Sequence, residues 1–355
     1  MLSRFGQVRG ERGDIAPAIW YKLRAAELTD GDREFVLVIR QLGYHQDRLE
    51  EVTGRRAVVW KTFFKATLDN TDLQAPPREQ GRQAARIFRE STGLAKRSTG
   101  IGRLLRDSLR SAGVLVIETP LPGSGLGGCC FYVGSPASNG RPCIFANTFH
   151  STWYRRNAVL THELAHAVFD AQHAGASLDF IGQREDGAEA DLAEERAHAF
   201  AQEMLVPREV LLHAAQACGI RWSAMTEQDL ALMVAKTQVE LRTLLRAAVD
   251  AGLLEPQAAA EHQGVDIALA LKELDDSALS TEEYVRKIGV KAEEWRGKRT
   301  TTIPSRKVLL PVPYVQAVLQ AVEHRDITPS KAAQMLMIDE LDLEKRFGPL
   351  FCTPD

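Results

Sequence analysis

Five consecutive residues, His162-Glu163-Leu164-Ala165-His166, have the types and spacing of a metal-dependent hydrolase. On a helix, residues four apart stand one above the other on the same face. Both imidazoles can then reach one metal ion, and zinc is the ion such a pair prefers. Glu163, one step along from the first imidazole, can meet a water at that metal. The chemistry this predicts is hydrolysis of an amide or similar bond, with Glu163 as the general base.

The motif needs a buried helix. Leu160, Leu164 and Val168 recur every four residues as an apolar stripe, and no Pro or Gly interrupts Tyr154 to Ala174. A catalytic zinc usually has three protein ligands, so a third must come from another element folded back on this helix. The best-placed residue is Glu194, in Glu194-Glu195-Arg196-Ala197-His198-Ala199-Phe200-Ala201. On a helix from about Ala188 to Met204, Glu194, Ala197, His198 and Ala201 share a stripe, and the two Ala allow a close approach. Glu195 faces about 100 degrees away. His198 competes as a ligand or supports one from behind. His150, Tyr154 and His198 are candidate donors to an oxyanion.

Before the motif, the β-branched run Val114 to Glu118 and the short segments Cys129 to Val133 and Cys143 to Ala146 read as strands. They predict a small antiparallel sheet beside the metal helix, with Cys143 to Ala146 as an edge on which an extended peptide can lie. Gly175 to Asp186 reads as an acidic, Gly-rich loop. The remainder reads as helices, so the fold class is α+β and mostly helical. Three regions are expected: a helical one at 1–77, resembling a degenerate helix-turn-helix or a small cap, the metal domain at 78–222, and a helical one at 223–355. Helices at Arg33 to Leu42 and Gln46 to Val52 are punctuated by Gly43. Leu230 to Leu245 and Thr328 to Leu343 have helix-turn-helix length and punctuation.

Here the residues resemble the ImmA/IrrE family of zinc metallopeptidases. The likeness rests on Arg155 to His166, Glu194-x-x-Ala197-x-x-Phe200-Ala201 and Met204-Leu205-Val206-Pro207, with the strands in order, over roughly residues 80–215. It implies zinc held by His162, His166 and Glu194. It implies a helix-turn-helix repressor as the cleaved partner, and induction of stress, mobile-element or defence genes. Some family members answer DNA damage, with single-stranded DNA as trigger. The family has Asn or Asp where this chain has His198. The alternative is a regulator that binds DNA or protein around a structural zinc. Glu163 argues against it, because a structural site needs no base.

Composition narrows the rest. The chain has 355 residues and a formal net charge of −3, which neither demands nor excludes a nucleic-acid partner. No stretch approaches the roughly 18 apolar residues that span a bilayer, and no signal-peptide core opens the chain, so a cytoplasmic protein with no membrane partner is expected. Five Cys without a C-x-x-C pair read as reduced thiols. Cys129, Cys130 or Cys143 is a candidate inhibitory thiol that would fill the metal's open position. Gly123-x-Gly125-x-x-Gly128 matches a dinucleotide fingerprint, but a strand follows where a helix is required, so it reads as a loop by the site. Arg82, Arg86 and Arg89 share one helical face, and Arg103, Arg106 and Arg110 another. They are either solvated faces or a track for a nucleic-acid backbone.

Overall fold

The computed structural model describes residues 30–54, 59–97, 100–121, 124, 126–133, 141–149, 153–170, 176–180, 188–267, 270, 304–305 and 308–348. Its centre is a four-stranded sheet of β1 (Leu115–Thr119), β2 (Leu126–Val133), β3 (Arg141–Asn147) and β4 (Ala176–Phe180), in the order β1-β3-β2-β4. β3 is parallel to β1 and antiparallel to β2, and β4 is antiparallel to β2. The expected antiparallel sheet is therefore mixed. The link after Thr119 carries the chain past one strand position, and β3 fills it. Asn147 at the end of β3 holds that link. Its amide donates to Leu121 O (3.2 Å) and Leu126 O (2.9 Å), and its Oδ1 accepts from Leu121 N and Phe149 N, each at 2.9 Å. Two further expectations change. Cys143 to Ala146 lies inside the sheet, not at its edge, and the acidic loop contains an edge strand, β4.

Alternation along the strands feeds two cores. Val116, Cys130, Tyr132, Ile144 and Ala146 face one of them. Leu115, Ile117, Cys129, Phe131, Cys143 and Phe145 face the other. The first face is covered by α5 (Trp153–Phe169), behind which lie α2 (Val59–Asp69), α3 (Pro77–Ser91), α4 (Gly102–Ser111) and α6 (Ala188–Leu205). α7 (Arg208–Cys218), α8 (Glu227–Thr237), α9 (Leu241–Asp250) and α10 (Pro256–His262) extend this layer. The second face is covered by α1 (Asp30–Val52) together with α11 (Val312–Glu323), α12 (Pro329–Met335) and α13 (Glu340–Phe347). Segments from both ends of the described chain thus meet on the sheet face away from α5. No described helix is long and apolar enough to cross a membrane.

α1 is one 23-residue helix, not two punctuated at Gly43. An interior Gly costs about 1 kcal/mol relative to Ala. A single stripe of Phe35, Val36, Ile39, Leu42 and Leu49, all buried, outweighs that by packing along the sheet, where Phe35 meets Phe145 edge-on at 4.6 Å. The two segments expected to be helix-turn-helix-like do form helix pairs. Gln238 turns the chain between α8 and α9 at φ 63°, and Met337 does so between α12 and α13 at φ 55°.

His45 of α1 is buried, and its Nδ1 has no hydrogen-bond partner among the described residues. Burial, and then the nearby Lys331 of α12, lower its pKa from 6.5 to about 4. The folded chain therefore keeps His45 neutral where an unfolded chain protonates it. This contribution to stability is complete above pH 6.5 and is lost as the pH falls towards 4. Thermal midpoints measured across that window are expected to fall more steeply for the native chain than for His45→Leu. Parallel profiles would refute the assignment.

Candidate metal centre

α5 forms as its sequence demands. Leu160, Leu164 and Val168 are fully buried against the sheet, which turns His162 and His166 towards α6. On α6, Ala197 is buried and lets the two helices close up. α3 then packs on the far side of α6, the most extensive helix contact among the described residues. Gly81 makes that possible. A Cβ there would stand 2.9 Å from Phe200 N and closer still to Arg196 O.

The result is a compact set of donors. His162 Nε2 lies 3.0 Å from His166 Nε2 and 3.3 Å from Glu194 Oε2, and His166 Nε2 lies 3.2 Å from Glu194 Oε1. Among the described residues these three form the one His/Cys/Asp/Glu group able to hold a metal ion, with every ligand atom within 4.8 Å of the others. Four ligands about 2.05 Å from a tetrahedral zinc stand about 3.3 Å apart, so the donor spacing fits that ion. Burial opposes charge on Glu194, yet its bonds to His162 and His166 hold the carboxyl well below the usual carboxylate range. Burial likewise opposes a charged His166, yet Asp170 and then Glu194 raise its pKa well above the ordinary value. A metal would replace the proton shared here, so uptake releases protons.

Glu163 is fully buried on the sheet side of α5. It sits where β2 carries a glycine. A Cβ on Gly128 would come within 2.7 Å of Glu163 Oε1 and 2.7 Å of Val159 Cγ1. A bulge between Leu126 and Gly128 gives this arrangement, sending Leu126 to one core while Gly128 faces α5. The glycines expected to form a loop are, at Gly127 and Gly128, part of a strand. Gly123 and Gly125 lie outside the described residues.

His198 is 60% exposed, 3.9 Å from Glu194 Oε2, with its ring 4.8 Å from that of His162. It flanks the donor set without joining it. Glu195 is exposed and faces away. Tyr154 is half-buried near the start of α5, and His150 lies outside the described residues. Sequence reasoning missed Asp170, whose Oδ2 meets His166 Nδ1 at 2.8 Å, and Arg196, which pairs with Asp170 Oδ1. The signal was available: Asp170 continues the four-residue ladder of His162 and His166.

The inhibitory thiol is not supported. Cys129 and Cys143 point into the core on the opposite side of the sheet, and Cys130 is buried under α5 outside the donor set. Burial pushes the Cys143 thiol far up, which disfavours the thiolate a metal needs.

Two of the clustered arginines are taken up inside the protein. Arg89 is buried and donates to Met204 O at the end of α6 (2.5 Å) and to Leu94 O (3.2 Å). Arg106 forks onto Glu118 at 2.6 and 2.5 Å and donates to Asn157 Oδ1 at 2.7 Å, anchoring the start of α5. Neither is placed to touch a nucleic-acid backbone. Arg82 pairs with Asp250 (3.3 Å), Arg86 with Glu203 (2.8 Å) and Arg110 with Asp107 (3.5 Å). The side chain of Arg103 lies outside the described residues.

Residues 109–219 match the sequence model of Peptidase_M78, described as the IrrE N-terminal-like domain. The resemblance to the ImmA/IrrE family therefore holds over this segment, which contains β1 to β4, both ligand-bearing helices and α7. No curated protein and no solved structure matches the chain.

Gly128→Ala is expected to cost about 1–3 kcal/mol of stability in denaturant melts, because strand or Glu163 must shift. Zinc uptake in equilibrium dialysis should not change, since the three donors lie on other elements. Unaltered stability would refute the close approach of Glu163 to the strand.

Proposed function

We propose that this protein is a zinc-dependent endopeptidase that cleaves a helix-turn-helix transcriptional repressor and so induces stress, mobile-element or defence genes. The observation that carries the enzymatic part is the convergence of His162, His166 and Glu194 at 3.0–3.3 Å with Glu163 on the adjoining turn. The match of residues 109–219 to a peptidase domain supports it independently. The repressor as substrate rests on the family likeness alone.

His162, His166 and Glu194 would hold the ion, two through imidazole nitrogen and one through carboxylate oxygen. When bound, zinc supplies Lewis acidity, polarising the scissile carbonyl and activating water near neutral pH. Glu163 takes the proton of the attacking water and delivers it to the leaving amine. Its buried position against Gly128 keeps bulk water from competing. A peptide substrate needs an open sheet edge. β3 is interior, and the short strand Val308–Leu309 packs beside β1, so β4 is the edge this reading uses. β4 adjoins β2, the strand that abuts Glu163.

Single-stranded DNA as a trigger is retained as an arm of the test, although Arg89 and Arg106 serve the fold. Purified protein incubated with a candidate repressor should cleave it, and a chelator should stop the reaction. Glu163→Gln should lower the rate by at least about 100-fold while sparing zinc binding. His162→Ala and His166→Ala should lose both. Full activity in Glu163→Gln, or cleavage indifferent to chelation, would overturn the proposal. If added single-stranded DNA leaves the rate unchanged, the trigger alone is dropped.

A further inference from the structure

Behind the candidate metal centre lies a chain of polar contacts that none of the roles above uses. His166 Nδ1 meets Asp170 Oδ2 at 2.8 Å. The other carboxylate oxygen, Oδ1, accepts from Arg196 Nη2. Arg196 Nη1 donates to Gln80 Oε1 of α3 at 3.2 Å, and the guanidinium lies 4.6 Å over the Phe169 ring. Asp170 and Arg196 each keep one-fifth of their side-chain surface. The three polar links join α5, α6 and α3.

We infer that Asp170 and Arg196 are positioning residues for the metal ligands, acting on His166 and on Glu194 at the same time. The inference rests on the metal site proposed above. A carboxylate at Nδ1 makes that nitrogen the donor, so Nε2 presents its lone pair to the centre. Arg196 stands two residues beyond Glu194 on the same helix. Its pair with Asp170 therefore fixes how far α6 stands from the end of α5, and with it the reach of Glu194. Gln80 and the Phe169 ring hold the guanidinium flat, and its fork leaves one amino group for each oxygen partner. Gly81 lets α3 come close enough for Gln80 to take part. At the opposite edge of the centre stands His198, 3.9 Å from Glu194 Oε2. The second imidazole is supported by a carboxylate that directly follows the metal helix.

The test uses the full chain and measures zinc affinity by competition with a chromophoric chelator. The visible band of the cobalt-loaded protein reports coordination. Asp170→Ala is expected to weaken zinc binding by about 10–100-fold and to alter the cobalt band. Asp170→Asn can still accept from Nδ1 but loses the ion pair, so a smaller loss in the same direction is expected, as for Arg196→Lys. Glu195→Gln, on the same turn of α6 but facing solvent, should bind like the native chain. Should Asp170→Ala fail to fold, Asp170→Asn and Arg196→Lys carry the test. Native zinc affinity and an unchanged band in both, while His166→Ala loses zinc, would overturn this assignment and leave the metal site standing. Native binding by His166→Ala would instead remove the metal site, and this inference with it.

Discussion

Three ionisable side chains, His162, His166 and Glu194, meet between α5 and α6, and their mutual contacts answer the cost of burying them. A buried charge is tolerated only when it is paired and hydrogen-bonded. Each imidazole here faces the Glu194 carboxylate at hydrogen-bond range, and the outer nitrogen of His166 faces a second carboxylate. Such contacts are possible only if α5, α6 and β2 approach closely. The small residues at those junctions, Ala197, Gly81 and Gly128, follow from that requirement. The apolar stripe of Leu160, Leu164 and Val168 sets the rotation of α5, so that the imidazoles point to α6 while Glu163 points to the strand.

The same requirement explains which features were legible in the sequence. The two imidazoles and the general base were, because their spacing is local and a helix has a fixed period. Glu194 was legible because Ala197 marks a helix built for close packing. Asp170 and Gly128 were harder. An aspartate at a helix end is ordinary, and its meaning comes from Arg196, 26 positions away. Gly128 looked like part of a flexible loop because glycines cluster before it. Its strand conformation comes from pairing with Ala146 and Asp179, and neither pairing is local. β4 was hidden for a similar reason. Its residues carry weak β-propensity, and the exposed side of β2 makes them a strand.

The mixed sheet separates the protein into two faces with different duties. Residues on both sides pack, and on the α5 side Gly128 also makes room for Glu163. The neighbouring cysteines show the division. Cys129 and Cys130 are adjacent in sequence, yet alternation sends them into different cores. Cys143, opposite Phe131, joins Cys129 on the face away from α5. Adjacency in sequence suggested a shared role near the metal. The pleat denies it.

Charge followed the same logic. The arginines of α3 look like an electrostatic surface when counted along the chain, because their acidic partners are remote in sequence. Arg86 meets Glu203 and Arg82 meets Asp250, each more than a hundred residues on. Arg89 ends on the Met204 carbonyl in the last turn of α6, where the helix carries partial negative charge. Arg106 reaches Glu118 and Asn157, whose amide in turn donates to Gln238 O at the turn after α8 (3.1 Å). These are the elements that must be held still if α5 and α6 are to present their ligands at fixed separation. A run of like charge on a helix face is therefore weak evidence for a nucleic-acid partner when the fold needs cations to tie ligand-bearing helices together. Among the arginines of α3 and α4, the two least exposed, Arg89 and Arg106, are the ones that tie down α6 and α5.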